Sequence, residues 1–175
     1  MEKADFLIPV NGLASGKTFY RWTAGREFFE EFENSDILDA ALSVDAEVDK
    51  SGNYIGVDFH ISGDLTVECD RCLGDLSIPV DSVGKLSVKF GDEEEYGYSA
   101  DEDGRETVFI PRTDTDLDLR QIIYDYACLA LPMLKVHAEG ECDPEVTGRL
   151  GIRQDQPEPE DAGNPFSALK DIFKS

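Results

Sequence analysis

The sequence predicts an α+β domain in which an antiparallel sheet of at least four strands packs with one long helix. Apolar and polar residues alternate over 42–48 and again over 55–67, and the turn-forming segment DKSGN lies between the two stretches. Such a pair is typical of a long hairpin with one solvated face. From Asp116 onward, apolar residues recur at helical spacing until Pro132, which predicts the long helix.

Shorter patterns complete the predicted fold. They predict further strands at residues 6–10, 17–23, 76–80, 86–90 and 108–111, with a bend at 81–84. Phenylalanines at helical spacing predict a short helix near residues 26–38, and a proline followed by an amphipathic stretch predicts another near residues 165–174. We expect residues 1–135 to form the α+β core domain and residues 136–175 to form an irregular acidic tail with a short C-terminal helix.

The chain is acidic almost throughout. Its 175 residues include 38 Asp and Glu against 16 Lys and Arg, for a formal net charge of −22, and residues 91–106 alone hold eight acids. Affinity for nucleic acid depends largely on Lys and Arg contacts to phosphates, so this charge disfavours direct binding to RNA or DNA. An acidic surface instead suits a basic protein partner, such as a ribosomal protein.

The sequence also indicates the cellular compartment in which the protein acts. No stretch approaches the roughly 20 apolar residues of a membrane helix, and the first residues lack the pattern of a secretory signal. We therefore expect a cytoplasmic protein, whose cysteines are thiols or metal ligands rather than disulfides.

Three cysteines and a histidine have the spacing of metal ligands. Cys69 and Cys72 form a C-x2-C pair, and His137 and Cys142 form an H-x4-C pair, with 64 residues between Cys72 and His137. Zinc takes four such ligands in a tetrahedron, so the four residues predict a structural Cys3His site. Two alternatives stay open. In one, the cysteines are packing residues without a metal. In the other, Cys69 and Cys72 form a redox pair of the thioredoxin type, although such a pair stands at the start of a helix and a strand is predicted after Cys72 here. Cys128, within the helical pattern, is interpreted as a core residue.

An enzymatic function is the weaker interpretation. A zinc ion with four protein ligands has no open position for water or substrate, and no phosphate-binding loop, nucleophile elbow or metalloprotease motif occurs. We expect a protein that is not an enzyme and acts by binding a partner. The alternative is a zinc-dependent or thiol redox enzyme.

Four motifs resemble those of a known family. CDRCL at 69–73, LALP at 129–132, the pair His137 and Cys142, and NPFSALKDIFK at 164–174 occur in the order found in the bacterial YceD family, the large ribosomal RNA subunit accumulation proteins. The resemblance implies a cytoplasmic, non-enzymatic accessory factor for 23S rRNA accumulation and biogenesis of the large ribosomal subunit. It also implies metal binding and, less directly, nucleic-acid binding. Because of the net charge, we expect the partner to be a basic protein of the large subunit or of its assembly machinery.

The resemblance also assigns residues. Cys69, Cys72, His137 and Cys142 match the positions of the family's metal site. The C-terminal motif contains Asn164, Pro165, Phe166 and Leu169, the candidate partner-binding residues. Apolar residues at helical spacing form a stripe there that suits docking, namely Phe166, Leu169, Ile172 and Phe173. Packing of this stripe on the chain's own sheet is the alternative.

Overall fold

The described part of the chain forms a five-stranded sheet, a two-stranded sheet and three short helices. The computed structural model describes residues 6–91 and 104–150. In chain order the elements are β1 (Leu7–Pro9), β2 (Gly16–Gly25), α1 (Arg26–Glu30), β3 (Ile37–Ser51), β4 (Tyr54–Glu68), β5 (Asp75–Phe90), β6 (Glu106–Ile110), β7 (Asp116–Asp118), α2 (Arg120–Leu129) and α3 (Pro144–Arg149).

The large sheet has the strand order β2-β3-β4-β5-β6. Its first four strands are antiparallel neighbours, as predicted, and β6 adds to β5 in parallel. The two predicted alternating stretches are β3 and β4, two strands of 15 residues joined by a two-residue turn. Their apolar residues lie on one buried face, because side chains of one parity in a strand share a face of the sheet.

The predicted bend within residues 81–84 is absent. Residues 75–90 form one continuous strand, paired with β4 along its length from Asp75 to Val88. The glycine that suggested a bend, Gly84, lies beneath the ring of Phe59, and a Cβ at residue 84 would be 2.2 Å from Phe59 Cζ. The ring of Phe59 in turn meets Tyr126 of α2 edge-on, with centroids 5.0 Å apart. The glycine therefore permits close packing under α2 rather than a change of chain direction.

The helix predicted near residues 26–38 is real but short. Helix α1 ends at Glu30, and residues from Ile37 onward belong to β3. Glu33 has a φ of 54°, in the left-handed region that a right-handed helix cannot continue through. The aromatic stripe still enters the core, with Phe28 and Phe29 buried and Phe32 partly buried against them.

The prediction of one long helix was wrong at its start. Residues 116–118 form β7, which pairs antiparallel with β1, and α2 covers only ten residues. Leu117 and Leu119 are buried, and the Leu119 amide donates to the Phe6 carbonyl at 3.0 Å. Pairing with β1 satisfies the backbone hydrogen-bonding groups of residues 116–118, which a helix would also have satisfied. The tertiary contacts of these residues therefore favour the strand over the helix. Further along, Ile123 and Ala127 are buried on the helical face expected from the pattern.

Asp118 and Gln121 have the spacing of a capping box, but Asp118 holds the first turn of α2 in a different way. Its Oδ1 accepts from the Arg120 amide at 2.9 Å, while the Gln121 side chain donates to Asp125 instead of returning to Asp118. Hydrogen bonds from the Arg120 guanidinium are the main reason that the pKa of Asp118 is lowered.

We expect Asp118→Asn to lower the free energy of unfolding by less than about 1 kcal/mol near neutral pH, because the carboxylate is partly exposed. A carboxyl whose pKa is lower in the folded than in the unfolded state stabilises the fold above its ordinary pKa. The difference between the two proteins should therefore shrink as the pH falls below the ordinary aspartate pKa of about 4. Urea unfolding at pH 7 and pH 3 measures it, and an equal difference at both would contradict the assignment.

Helix α3 lies within the predicted irregular tail. Pro144 occupies its first turn, and the Asp143 carboxylate accepts from the Glu145 amide at 2.8 Å, so the helix has a capped start despite its length of six residues. The domain boundary at residues 135–136 remains a prediction, and the helix predicted near residues 165–174 lies outside the described residues. None of the helices in the described part of the chain is long and apolar enough to cross a membrane.

Candidate metal centre

The turn between β4 and β5, residues 69–74, carries the first two candidate ligands. The Cys69 amide donates to the Gly74 carbonyl and the Leu73 amide donates to the Cys69 carbonyl, each at 2.9 Å. These bonds close the turn so that both cysteine side chains point to the same side. The Cys69 and Cys72 side chains are buried although the turn lies at the end of the sheet.

The segment after α2 brings the other two ligands to this turn. The Asp70 amide donates to the Lys135 carbonyl, and the Lys135 amide donates to the Asp70 carboxylate, both at 2.7 Å. Two residues further on, His137 is close enough for its Nε2 to donate to the Asp75 carbonyl at 3.0 Å. Cys142 follows and is buried. The fold therefore brings together two ligand pairs that are separated by 64 residues in the sequence.

The four ligand atoms have the spacing of a tetrahedral metal site. They all lie within 4.8 Å of one another. The Cys69 and Cys142 sulfurs are 3.9 Å apart, and His137 Nδ1 lies 3.4 Å from the Cys72 sulfur and 3.9 Å from the Cys142 sulfur. Tetrahedral zinc places two sulfurs about 3.8 Å apart and a sulfur and a nitrogen about 3.5 Å apart. The cluster could thus hold a metal ion with little movement.

The histidine is oriented for coordination. A carbonyl oxygen only accepts, so the Asp75 carbonyl fixes the proton on His137 Nε2 and leaves the lone pair of Nδ1 facing the sulfurs. A hydrogen bond from the non-ligating nitrogen of this kind is usual for metal-binding histidines. The same bond to the Asp75 carbonyl is the main cause of the raised pKa of His137.

The backbone around the turn favours thiolates. Burial raises the pKa of Cys69, but hydrogen bonds from the backbone of Cys72, His137 and Arg71 outweigh it and lower the pKa to about 6. The pKa of Cys72 is also lowered, chiefly by a backbone hydrogen bond from Asp143. Because metals bind thiolates, these bonds prepare two of the three sulfurs for coordination.

The geometry bears on the alternatives for the cysteines. The C-x2-C pair lies in a turn between two strands, whereas a thioredoxin-type pair lies at the start of a helix whose N-terminus lowers the thiol pKa. Cys128 does not belong to the cluster: it is half-buried on α2, where its sulfur is 3.8 Å from the Asn34 side-chain nitrogen. Burial raises the pKa of Cys128, as expected of a packing residue.

Sequence reasoning missed the residues that assemble the site. Asp70 joins the two half-sites, the Asp75 carbonyl orients His137, and the Asp143 backbone acts on Cys72. The two backbone contacts have no sequence signature. The position of Asp70 between the two cysteines was a signal, but the spacing alone does not show which distant segment an aspartate will bind.

The candidate partner-binding residues Asn164, Pro165, Phe166 and Leu169 lie outside the described residues. Their predicted role therefore stays a prediction.

Comparison with known protein families gives a match to the second half and middle of the chain. A family model described as "Large ribosomal RNA subunit accumulation protein YceD" matches residues 57–173, about two thirds of the chain. The matched region includes all four candidate ligands. No curated protein and no solved structure matches the chain.

Proposed function

Because the chain belongs to the YceD family of large ribosomal RNA subunit accumulation proteins, we propose that it is a non-enzymatic accessory factor for 23S rRNA accumulation, acting in the cytoplasm by binding a protein partner. The family name implies a role in the accumulation of the large-subunit rRNA. The family match is the observation that supports this role most directly, and the following points concern how the role is performed.

The proposed metal is zinc, held by the four clustered side chains. Three sulfurs and an imidazole nitrogen are the donor set that structural zinc prefers, and their spacing supports the assignment. When bound, the ion would join the β4–β5 turn covalently to the segment after α2. Residues on both sides of the site would then keep fixed positions relative to the sheet.

We also propose that the protein is not an enzyme. Four protein ligands fill the coordination sphere of tetrahedral zinc, so no position is left for a water or a substrate. The alternative is a thiol redox or zinc-dependent enzyme, and the lowered pKa of Cys69 is the observation that favours it. A lowered pKa suits a metal ligand equally well, and the position of the pair in a turn between two strands supports the structural role.

The proposed partner is a basic protein of the large subunit or of its assembly machinery. A net charge of −22 repels the RNA backbone and attracts a basic protein across a Debye length of about 8 Å. Of the basic side chains in β2, Lys17 is paired with Glu47, and Arg21 with Asp45. These pairs reduce the positive charge available to phosphates on that face of the sheet.

Binding measurements at several salt concentrations test this proposal. We expect the purified full-length protein to bind one or more purified basic large-subunit proteins, with an affinity that falls as salt rises from about 50 to 300 mM. Fragments of 23S rRNA should compete poorly, and an equally sized acidic protein should not bind. Tight binding of bare 23S rRNA at physiological salt, with no binding to the basic proteins, would contradict the proposal.

A further inference from the structure

Several exposed apolar side chains lie in or next to the chain segments that carry the candidate metal ligands. Most of the large apolar residues that are exposed in the described part of the chain lie in the β4–β5 turn or between residues 129 and 150: Leu73, Leu129, Met133, Leu134 and Leu150. Leu73, Met133 and Leu134 form what we call the knuckle patch. Leu73 is 69% exposed, Leu134 is 65% exposed and Met133 is fully exposed.

The patch residues belong to two chain segments that run beside each other. The paired hydrogen bonds between Asp70 and Lys135 hold residues 133–134 next to the turn that carries Leu73. Exposed apolar side chains on neighbouring segments are typical of an interaction site, because exposed apolar area is costly in water.

Leu73 has an unusual backbone for a leucine. Its φ is 59°, in the left-handed region where glycine and asparagine are favoured and a Cβ is strained. The turn uses the backbone of Leu73, whose amide donates to the Cys69 carbonyl, and the exposed side chain takes no part in these hydrogen bonds. A strained residue with an exposed apolar side chain is explained if that side chain binds something.

The two chain segments that carry the patch are acidic. Residues 68–75 and 133–150 together contain seven Asp and Glu but three Lys and Arg. Exposed apolar side chains on two acidic segments fit an amphipathic segment that carries positive charge.

One segment of this chain has that character. Residues 164–174 place four apolar side chains at helical spacing and include two lysines but one aspartate, in a chain that is acidic elsewhere. The described structure ends at Leu150, directly after α3, which begins next to the ligand Cys142. The 13 residues from 151 to 163 can span at most about 45 Å, and such a tether raises the local concentration of its end to the millimolar range.

We propose that residues 164–174 bind the knuckle patch of the same chain. In this proposal Phe166, Leu169, Ile172 and Phe173 supply the apolar contact, and Lys170 and Lys174 complement the acidic charge of the two patch segments. The occupant is thus the chain's own C-terminal segment rather than its partner protein. This proposal is independent of the proposed role in rRNA accumulation.

Photo-crosslinking in the full-length protein tests the contact. Phe166 is replaced by the photo-reactive amino acid p-benzoyl-phenylalanine, and crosslinked peptides are identified by mass spectrometry in a mixture of isotopically light and heavy copies. We expect crosslinks within one copy, to residues 73 and 133–134. Crosslinks elsewhere in the chain, crosslinks between copies only, or no crosslink would each overturn the proposal.

Leu73→Gly in the same protein provides the decisive comparison. Glycine suits the left-handed backbone, so the melting temperature and the metal content should not fall, while the crosslink yield should drop about tenfold because a leucine contact is lost. Leu134→Asp should have a similar effect on the yield. The matched control is Val83→Gly, which removes an exposed apolar side chain from the sheet and should leave the yield unchanged. An unchanged yield in both patch variants would overturn the proposal.

Discussion

Cys69→Ser is expected to abolish metal binding and to destabilise the protein by several kcal/mol. Cys69 contributes one of the four ligand atoms, and its sulfur lies 3.9 Å from that of Cys142 at the junction of the two half-sites. Since a structural zinc ion contributes its binding free energy to folding, its loss removes the crosslink between the β4–β5 turn and the segment after α2. Metal content by elemental analysis and thermal melting of protein purified without chelator measure both effects.

Cys128→Ser is the matched control, because the same chemical change is made to a half-buried cysteine outside the cluster. Its metal content should equal that of the natural protein, with a smaller loss of stability. A strong chelator should lower the melting temperature of the natural protein and of Cys128→Ser but leave Cys69→Ser unaffected. If Cys69→Ser keeps its metal and its melting temperature, the site is not a metal centre. Substoichiometric metal together with a reactive Cys69 thiol would favour the redox alternative.

Gly63→Ala is expected to reduce the free energy of unfolding by about 4 kcal/mol or more. A Cβ at residue 63 would lie 2.1 Å from the Ala41 carbonyl oxygen on the neighbouring strand, and the φ of Gly63 is 143°. The obstacle is backbone of the paired strand in the β3–β4 hairpin, so the strands themselves would have to separate. Urea unfolding followed by circular dichroism measures the loss.

Gly52→Ala separates the steric effect from the effect of backbone conformation. Gly52 lies in the turn between β3 and β4 with a φ of 61°, but a Cβ there would have no atom within 4 Å. Only the cost of the left-handed conformation remains, which is about 1 kcal/mol. Equal losses in the two variants would show that the close approach at Gly63 does not limit stability.

The hairpin and the ligand set could be predicted from the sequence because both depend on local spacing. Alternation with a period of two predicts β3 and β4, and a cysteine pair separated by two residues lies within the reach of one metal ion. In the same way, the helical spacing around Ile123 identified the buried face of α2. In each case neighbouring residues carry the whole signal.

Where the sequence misled, a distant strand or side chain competed with a local preference. Residues 116–118 fit a helical pattern, but pairing with β1 and the burial of Leu117 hold them as a strand. Gly84 suggested a bend, but it lies in a continuous strand, packed against the ring of Phe59.

The sequence by itself determined which side chains could bind a metal and which stretches would form the central strands, since backbone periodicity and ligand spacing are local properties. Only the tertiary structure decided that His137 and Cys142 meet Cys69 and Cys72. That meeting depends on the hydrogen bonds between Asp70 and Lys135, 65 residues apart in the chain. Such contacts form only after packing has brought the two segments together, so neither segment alone encodes them.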